Sequence, residues 1–273
     1  MPNGPAATVP RPRHFYTEPG WLDVGDLRVA YRRKGTGEPT LYLHGAGMTR
    51  MWLPHLEALS QHVDVIAPEH PGYGETEMPE WLDGFEDLVI HHDELLDVLE
   101  LDRVHLVGYS LGGWLAAEFA CFYPQRLKSL TLMVPAGLRI EGKPIPNPVA
   151  MMPDAFFDLI FNDKANMHLV LPDFEDFDEI VHAYGEGATL ARLAWTTQYD
   201  LKLETRLRRV TCPSLVVRAE DDRLICNEMA DRYAELLPNS RIETIPGTGH
   251  ALAVEQPERV GAAIGEFIEE ASA

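Results

Sequence analysis

Residues 103–123 constrain this chain more than any other stretch. They read Arg-Val-His-Leu-Val-Gly-Tyr-Ser-Leu-Gly-Gly-Trp-Leu-Ala-Ala-Glu-Phe-Ala-Cys-Phe-Tyr. Residues 104–107 are a short apolar run suited to a buried parallel strand, and residues 114–122 suit a buried helix. Between them lies Gly108-Tyr109-Ser110-Leu111-Gly112. A strand that turns into a helix within so few residues forces its central residue into an unfavourable backbone conformation, and glycine on either side removes the side chains that would collide. The turn holds the Ser110 hydroxyl at the carboxyl end of a sheet and beside a helix N-terminus, where negative charge is favoured. That is a position for a nucleophile, provided the rest of the chain supplies its partners.

Around this stretch, strands alternate with helices. Residues 22–24 and 27–31 alternate in polarity about Gly25-Asp26, which predicts an antiparallel hairpin. Further strands are predicted at 40–43, 63–67, 130–134, 214–217 and 241–245, and helices at 53–60, 85–99, 228–237 and 257–269. From residue 40 onward this order argues for a parallel sheet covered on both faces. Residues 138–210 break the pattern: they hold no convincing strand, begin with Pro144, Pro146 and Pro148, and carry helical segments at 150–162 and 189–199. They are expected to form an inserted helical cap on a core made of residues 15–137 and 211–273, with residues 1–14 as a flexible arm.

Composition bounds the partners. With 23 basic against 43 acidic residues the net charge is −20, a surface that repels phosphate backbones and anionic membranes. No nucleic-acid or membrane partner is expected, and no apolar run approaches the roughly 18 residues needed to span a bilayer. Cys121, Cys212 and Cys226 form no C-x-x-C pair and fit a reducing compartment. A cytoplasmic location is the expectation.

A serine hydroxyl is a poor nucleophile at neutral pH and needs a base in hydrogen-bond reach, itself oriented by a third group. Gly247-Thr248-Gly249-His250 follows the last strand, and Ala219-Glu220-Asp221-Asp222-Arg223 follows the strand before it. Both loops open at the carboxyl edge of the sheet, where open α/β sheets bind ligands. His250 is the candidate base, and Asp221 and Asp222 are both candidates to orient it. Two other clusters carry less. His91-His92-Asp93-Glu94 reads as a solvated helix face, because neighbouring residues on a helix point about 100° apart. Residues 173–179 read as a solvated cap edge lacking the glycine-centred spacing of a calcium loop. No metal or organic cofactor is expected.

His44-Gly45-Ala46-Gly47, Gly108-Tyr109-Ser110-Leu111-Gly112, Asp221-Asp222-Arg223 and Gly249-His250 together resemble the α/β-hydrolase superfamily over about residues 21–269, most weakly in the cap. The resemblance implies a mostly parallel eight-stranded sheet flanked by helices, with Ser110 as nucleophile, His250 as base then acid, and Asp222 as the orienting carboxylate. Related sequences with a similar Asp-Asp-Arg loop use the second aspartate, at a spacing to the histidine like that between Asp222 and His250. The same resemblance puts the oxyanion donors at the backbone amides of Ala46 and Leu111. Residues 69–76, Glu-His-Pro-Gly-Tyr-Gly-Glu-Thr, depart from the usual Asp-x-x-Gly-x-Gly-x-Ser loop but keep its glycines, so a structural loop is expected. Serine at the elbow argues against dehalogenases and epoxide hydrolases, which carry aspartate there.

The cap is rich in apolar residues that would sit over the serine. Tyr109, Met152, Phe156, Trp195 and Arg192 are the candidate substrate contacts, and they point to a small-molecule ester with a small or medium apolar group. Two alternatives stand beside an ester hydrolase. Carbon-carbon bond hydrolases of dianionic ring-cleavage products share much of the pattern; Arg192 is the one residue that could serve their substrates, and Ala251 replaces the tryptophan they usually carry after the histidine. A ligand receptor of the same fold with slow or no turnover is the other.

Overall fold

The computed structural model describes residues 14–173 and 175–273. The predicted arm therefore lies outside the described residues except for His14, as does Phe174 of the acidic run. A hairpin opens the sheet: β1 (Gly20–Val24) pairs antiparallel with β2 (Leu27–Lys34), Val24 opposite Leu27. Gly25 takes φ 60° in the two-residue turn, a conformation that costs glycine nothing.

β3 (Pro39–Leu43), β4 (Asp64–Pro68), β5 (Val104–Tyr109), β6 (Leu127–Met133), β7 (Ser214–Ala219) and β8 (Ser240–Ile245) complete one eight-stranded sheet in the order β1-β2-β4-β3-β5-β6-β7-β8. β3 through β8 run parallel and β2 joins β4 antiparallel. All six residues of β5 are buried, as a central parallel strand with two covered faces requires. Helices flank the sheet. α1 (Pro54–Leu59) packs against α9 (Pro257–Ser272), where a Cβ on Gly261 would come within 2.5 Å of the Ala58 Cβ. α2 (Phe85–Val98) packs on α3 (Leu111–Phe122), and α7 (Asn227–Leu236) packs on β7 and β8. A one-turn helix absent from the sequence pattern, α8 (Leu252–Glu255), sits just before α9.

Between β6 and β7 the chain forms α4 (Pro153–Ile160), α5 (Phe177–Ala194) and α6 (Leu203–Arg206). The second predicted helix, 189–199, is misplaced. Asp176 accepts hydrogen bonds from the amides of Asp178 and Glu179 and so starts α5 well before the expected position. Gly185 and Gly187 inside that helix weaken its intrinsic preference and hide it from a propensity reading. Among the described residues no helix is long and apolar enough to cross a membrane.

Candidate active site

Four strand ends meet at one edge of the sheet. Ala46 follows β3, Ser110 follows β5, Asp222 follows β7 and His250 follows β8. Ser110 has φ 56° and ψ −110°, a strained conformation for a residue with a Cβ. The glycines around it permit that strain. A Cβ on Gly108 would lie 2.2 Å from the Gly112 oxygen, and a Cβ on Gly112 would lie 2.1 Å from the Leu43 oxygen and 2.4 Å from the His44 oxygen. These are backbone atoms that cannot move aside cheaply. Gly112→Ala is expected to lower stability by about 3 kcal/mol, the upper range for overpacking, and to push the residue 44–47 loop away from Ser110. Chemical denaturation and turnover measured together check this, both falling.

The side chains form a relay. The Ser110 Oγ lies 2.8 Å from His250 Nε2, and His250 Nδ1 lies 2.8 Å from Asp222 Oδ2. Both His250 and Asp222 are buried, at 5% and 1% side-chain exposure. The second Asp222 oxygen accepts from the amides of Leu224 and Ile225, each at 2.9 Å, so the carboxylate is fixed before it meets the histidine. Asp221 points elsewhere: its carboxylate accepts from the Asn162 side chain at 3.2 Å. Tyr109 borders the cavity, but its hydroxyl donates to the His250 carbonyl at 2.9 Å and its ring stacks on the imidazole.

The loop after β3 comes up against the serine. A Cβ on Gly45 would be 3.3 Å from the Ser110 Cβ, and Ala46 and Leu111 both border the same cavity. Among the described residues neither amide is seen donating to a backbone carbonyl in the turns and loops. Behind this loop lies a chain of histidines whose tautomers the hydrogen bonds assign. The His70 amide donates to His44 Nε2 at 2.9 Å, which leaves Nδ1 of His44 to donate to the Gly45 carbonyl at 2.7 Å. His70 Nε2 donates to the His44 carbonyl at 3.0 Å, so its Nδ1 accepts from His92 Nε2, also at 3.0 Å. Every ring in the chain is neutral. Burial holds His44 down to about 4 and His70 and His92 well below the usual range. His91 and His92 are thus not the solvated face expected: they are 3% and 0% exposed, His92 turned inward by its contact with His70 and His91 covered by the Trp81 ring. Among the described residues no three His, Cys, Asp or Glu side chains are grouped to hold a metal ion.

The residue 69–76 loop is held by its departing residue. Glu69 pairs with Arg32 at 2.6 Å and accepts from the amides of Arg50 and Glu75. Gly74, at φ 61°, makes room, since a Cβ there would fall 2.2 Å from the Glu69 carboxyl.

Ser110 and His250 open onto a cavity of about 370 Å³ between the sheet edge and the helices inserted after β6. Phe156 borders it, with Met151, Leu190 and Ile225. Three of the expected contacts do not. Met152 is 76% exposed, because it lies in extended backbone between Met151 and Pro153, which both face the cavity, and neighbours in extended chain point opposite ways. On α5 the cavity takes Ala183, Glu186, Gly187, Leu190 and Ala194, a stripe at helical spacing. Arg192 is two residues from Leu190, about 200° round the helix, and faces solvent. Trp195 is 54% exposed beyond the end of the helix and borders a separate surface depression. Glu186 was missed with the helix that carries it. Its signal is the row of small residues, Ala183, Gly187 and Ala194, that leaves space beside it.

The family model described as the alpha/beta hydrolase family matches residues 41–263. The chain belongs to that family. A 2-hydroxy-6-oxo-2,4-heptadienoate hydrolase of Pseudomonas putida is 29% identical to this α/β hydrolase, over 85% of the chain and 90% of the relative. A 2-hydroxy-6-oxo-6-(2'-aminophenyl)hexa-2,4-dienoic acid hydrolase of Metapseudomonas resinovorans is 26% identical, over 87% and 86%. Among solved structures, a meta-cleavage product hydrolase from Pseudomonas fluorescens superposes with a TM-score of 0.78 at 22% identity, covering 93% of this chain and 98% of its own. That last likeness concerns the fold.

Proposed function

We propose that this α/β hydrolase cleaves a carboxylic ester of a small or medium apolar compound through an acyl-enzyme on Ser110. The observation that carries the reading is the Ser110–His250–Asp222 relay opening onto an apolar cavity. Ser110 Oγ attacks the carbonyl carbon as its proton passes to His250 Nε2, and Asp222 steadies the imidazolium. The oxyanion rests on the Ala46 and Leu111 amides, and His250 returns the proton to the leaving alkoxide. Water, deprotonated by His250, then releases the acid. Residues 138–210 act as the cap that shapes the cavity, and the acidic surface with three free cysteines fits the cytoplasm.

The relatives support the carbon-carbon bond reading better than ester cleavage, since the two named above are dienoate hydrolases. The cavity supports the ester. Its described lining includes no lysine or arginine and does include Glu186, so a dianionic substrate would meet a carboxylate with no cation to balance it. Function follows the residues that touch the substrate more closely than it follows the fold. A panel of p-nitrophenyl esters of graded acyl length, set against 2-hydroxy-6-oxodienoates, decides the matter. Ester kcat/KM at least about tenfold higher is expected, and the reverse ranking would transfer the chain to carbon-carbon hydrolysis.

Asp222→Asn is expected to lower kcat about 10⁴-fold by presenting the wrong histidine tautomer. Asp221→Asn should stay within a few-fold of wild type. Steady-state kinetics of the two variants checks the assignment; equal losses would refute it.

A further inference from the structure

Glu186 is an unusual occupant of an apolar cavity. It reaches the cavity from α5 and is held by the body of the protein and by its own helix: its Oε1 accepts from the Thr49 hydroxyl and the Gly74 amide, the latter at 2.9 Å, and from His182 Nε2, one turn back on α5, at 3.2 Å. All three donors fall on one oxygen. The other, Oε2, accepts no hydrogen bond from a described residue and is not sealed in the interior, and the side chain is 12% exposed where it borders the cavity. Burial opposes its charge, but the hydrogen bonds from His182, Thr49 and Gly74 outweigh that and hold the carboxyl below its usual range.

Arg50, the guanidinium that Glu186 acts on, does not claim the free oxygen. Arg50 is buried, makes no ion pair with Glu186 among the described residues, does not border the cavity, and leaves Nε and Nη1 without partners. Glu69, Glu75 and Glu179 also act on Arg50, and Arg32 pairs with Glu69 and Glu75. Behind Glu186, carboxylates outnumber guanidinium groups. A carboxylate with one oxygen fixed and one open is matched by an N–H donor, best by a positively charged one.

We infer that Glu186 is a recognition point for a primary ammonium group, so that the substrate couples an apolar body to a cationic amine. This rests on the ester-hydrolase reading for its chemistry, while the amine-binding step is independent of turnover. The ammonium donates to Oε2, the apolar body lies along Phe156 and Leu190, and the ester carbonyl reaches Ser110. A carboxylate at the same place is rejected by like charge.

The test uses n-alkylammonium ions of three to eight carbons, with alcohols and carboxylates of the same lengths, titrated calorimetrically into wild type and Glu186→Gln. At the best chain length the ammonium is expected to bind at least about tenfold tighter than the alcohol and more tightly still than the carboxylate. Glu186→Gln, which presents an amide N–H in place of Oε2, should erase that preference and leave alcohol binding within about twofold. Equal binding of ammonium and alcohol to wild type, or a preference that survives in the variant, would overturn the inference and leave Glu186 a tie between α5 and the body. The wild-type ranking decides alone if the variant does not fold. A parallel comparison of p-nitrophenyl hexanoate with its 6-ammonio analogue separates the two readings: no Ser110-dependent turnover of either ester removes the hydrolase reading, while the calorimetric ranking still judges the amine site.

Discussion

Ser110→Ala is expected to lower kcat on any hydrolysed ester by at least about 10⁴-fold, with the substrate still bound. The size follows from what is removed. Alanine at 110 deletes the atom that His250 Nε2 faces at 2.8 Å, while the cavity and the Ala46 and Leu111 amides stay in place. Residual turnover then comes from positioning and oxyanion stabilisation of a water attack, which leaves only a small part of the whole. Folding is not the reason for the loss. Ser110 sits at φ 56°, and alanine fits wherever serine does, so thermal unfolding should change little. Pre-steady-state kinetics on p-nitrophenyl esters checks it: the nitrophenol burst of wild type should vanish in the variant, and a retained burst would place the nucleophile elsewhere.

The second large effect is acid lability. His44, His55, His70, His91, His92 and His105 are all buried. Burial lowers His44, His91 and His105 to about 4 and His55 to about 3. The unfolded chain takes up these protons near pH 6.5, whereas the folded chain resists until pH 4 or below. The stability they confer is therefore complete above pH 6.5 and is lost as pH falls toward 4. Depressions of this size correspond to about 3 kcal/mol for each of His44, His91 and His105 and up to about 5 kcal/mol for His55, against a total stability of about 5–15 kcal/mol. Glu118 and Glu69 oppose the trend, because burial raises both, Glu118 to about 7, and their protonation relieves buried charge. Two carboxyls cannot offset six imidazoles. Urea midpoints should fall steeply between pH 6.5 and 4, and a flat profile would refute the account. His55→Phe isolates one contribution, since both His55 ring nitrogens are buried without partners against Tyr42 and Tyr109. That variant should be more stable than wild type, most clearly near pH 5.

What the residues disclose before folding depends on how local the physics is. The elbow is legible because the steric demand and the glycines that meet it lie within five residues, Gly108 to Gly112. The parallel part of the sheet is legible from alternating strands and helices, whereas its eight strands come from the family resemblance and their order from crossovers that alternation does not fix. Asp222 and Asp221 stay equivalent on the residues alone. Their difference is made by the Leu224 and Ile225 amides, which turn back onto Asp222, and by Asn162 from α4's far end, which takes Asp221. The cavity wall is harder still. Met152, Trp195 and Arg192 have suitable chemistry, but one residue of register in extended chain, or 100° on a helix, decides whether a side chain faces the cavity or water. His91 and His92 are polar by type, and what buries them is far off in sequence: His70 offers His92 a partner, and Trp81 lies over His91.

The most direct measurement is covalent labelling by a small alkyl fluorophosphonate, followed by peptide mapping, since it needs no knowledge of the natural substrate. The account predicts one stoichiometric adduct, on Ser110, formed at a rate that falls sharply in His250→Ala and Asp222→Asn and hardly at all in Asp221→Asn. An adduct on another residue, or labelling of Ser110 at the same rate without His250, would contradict it.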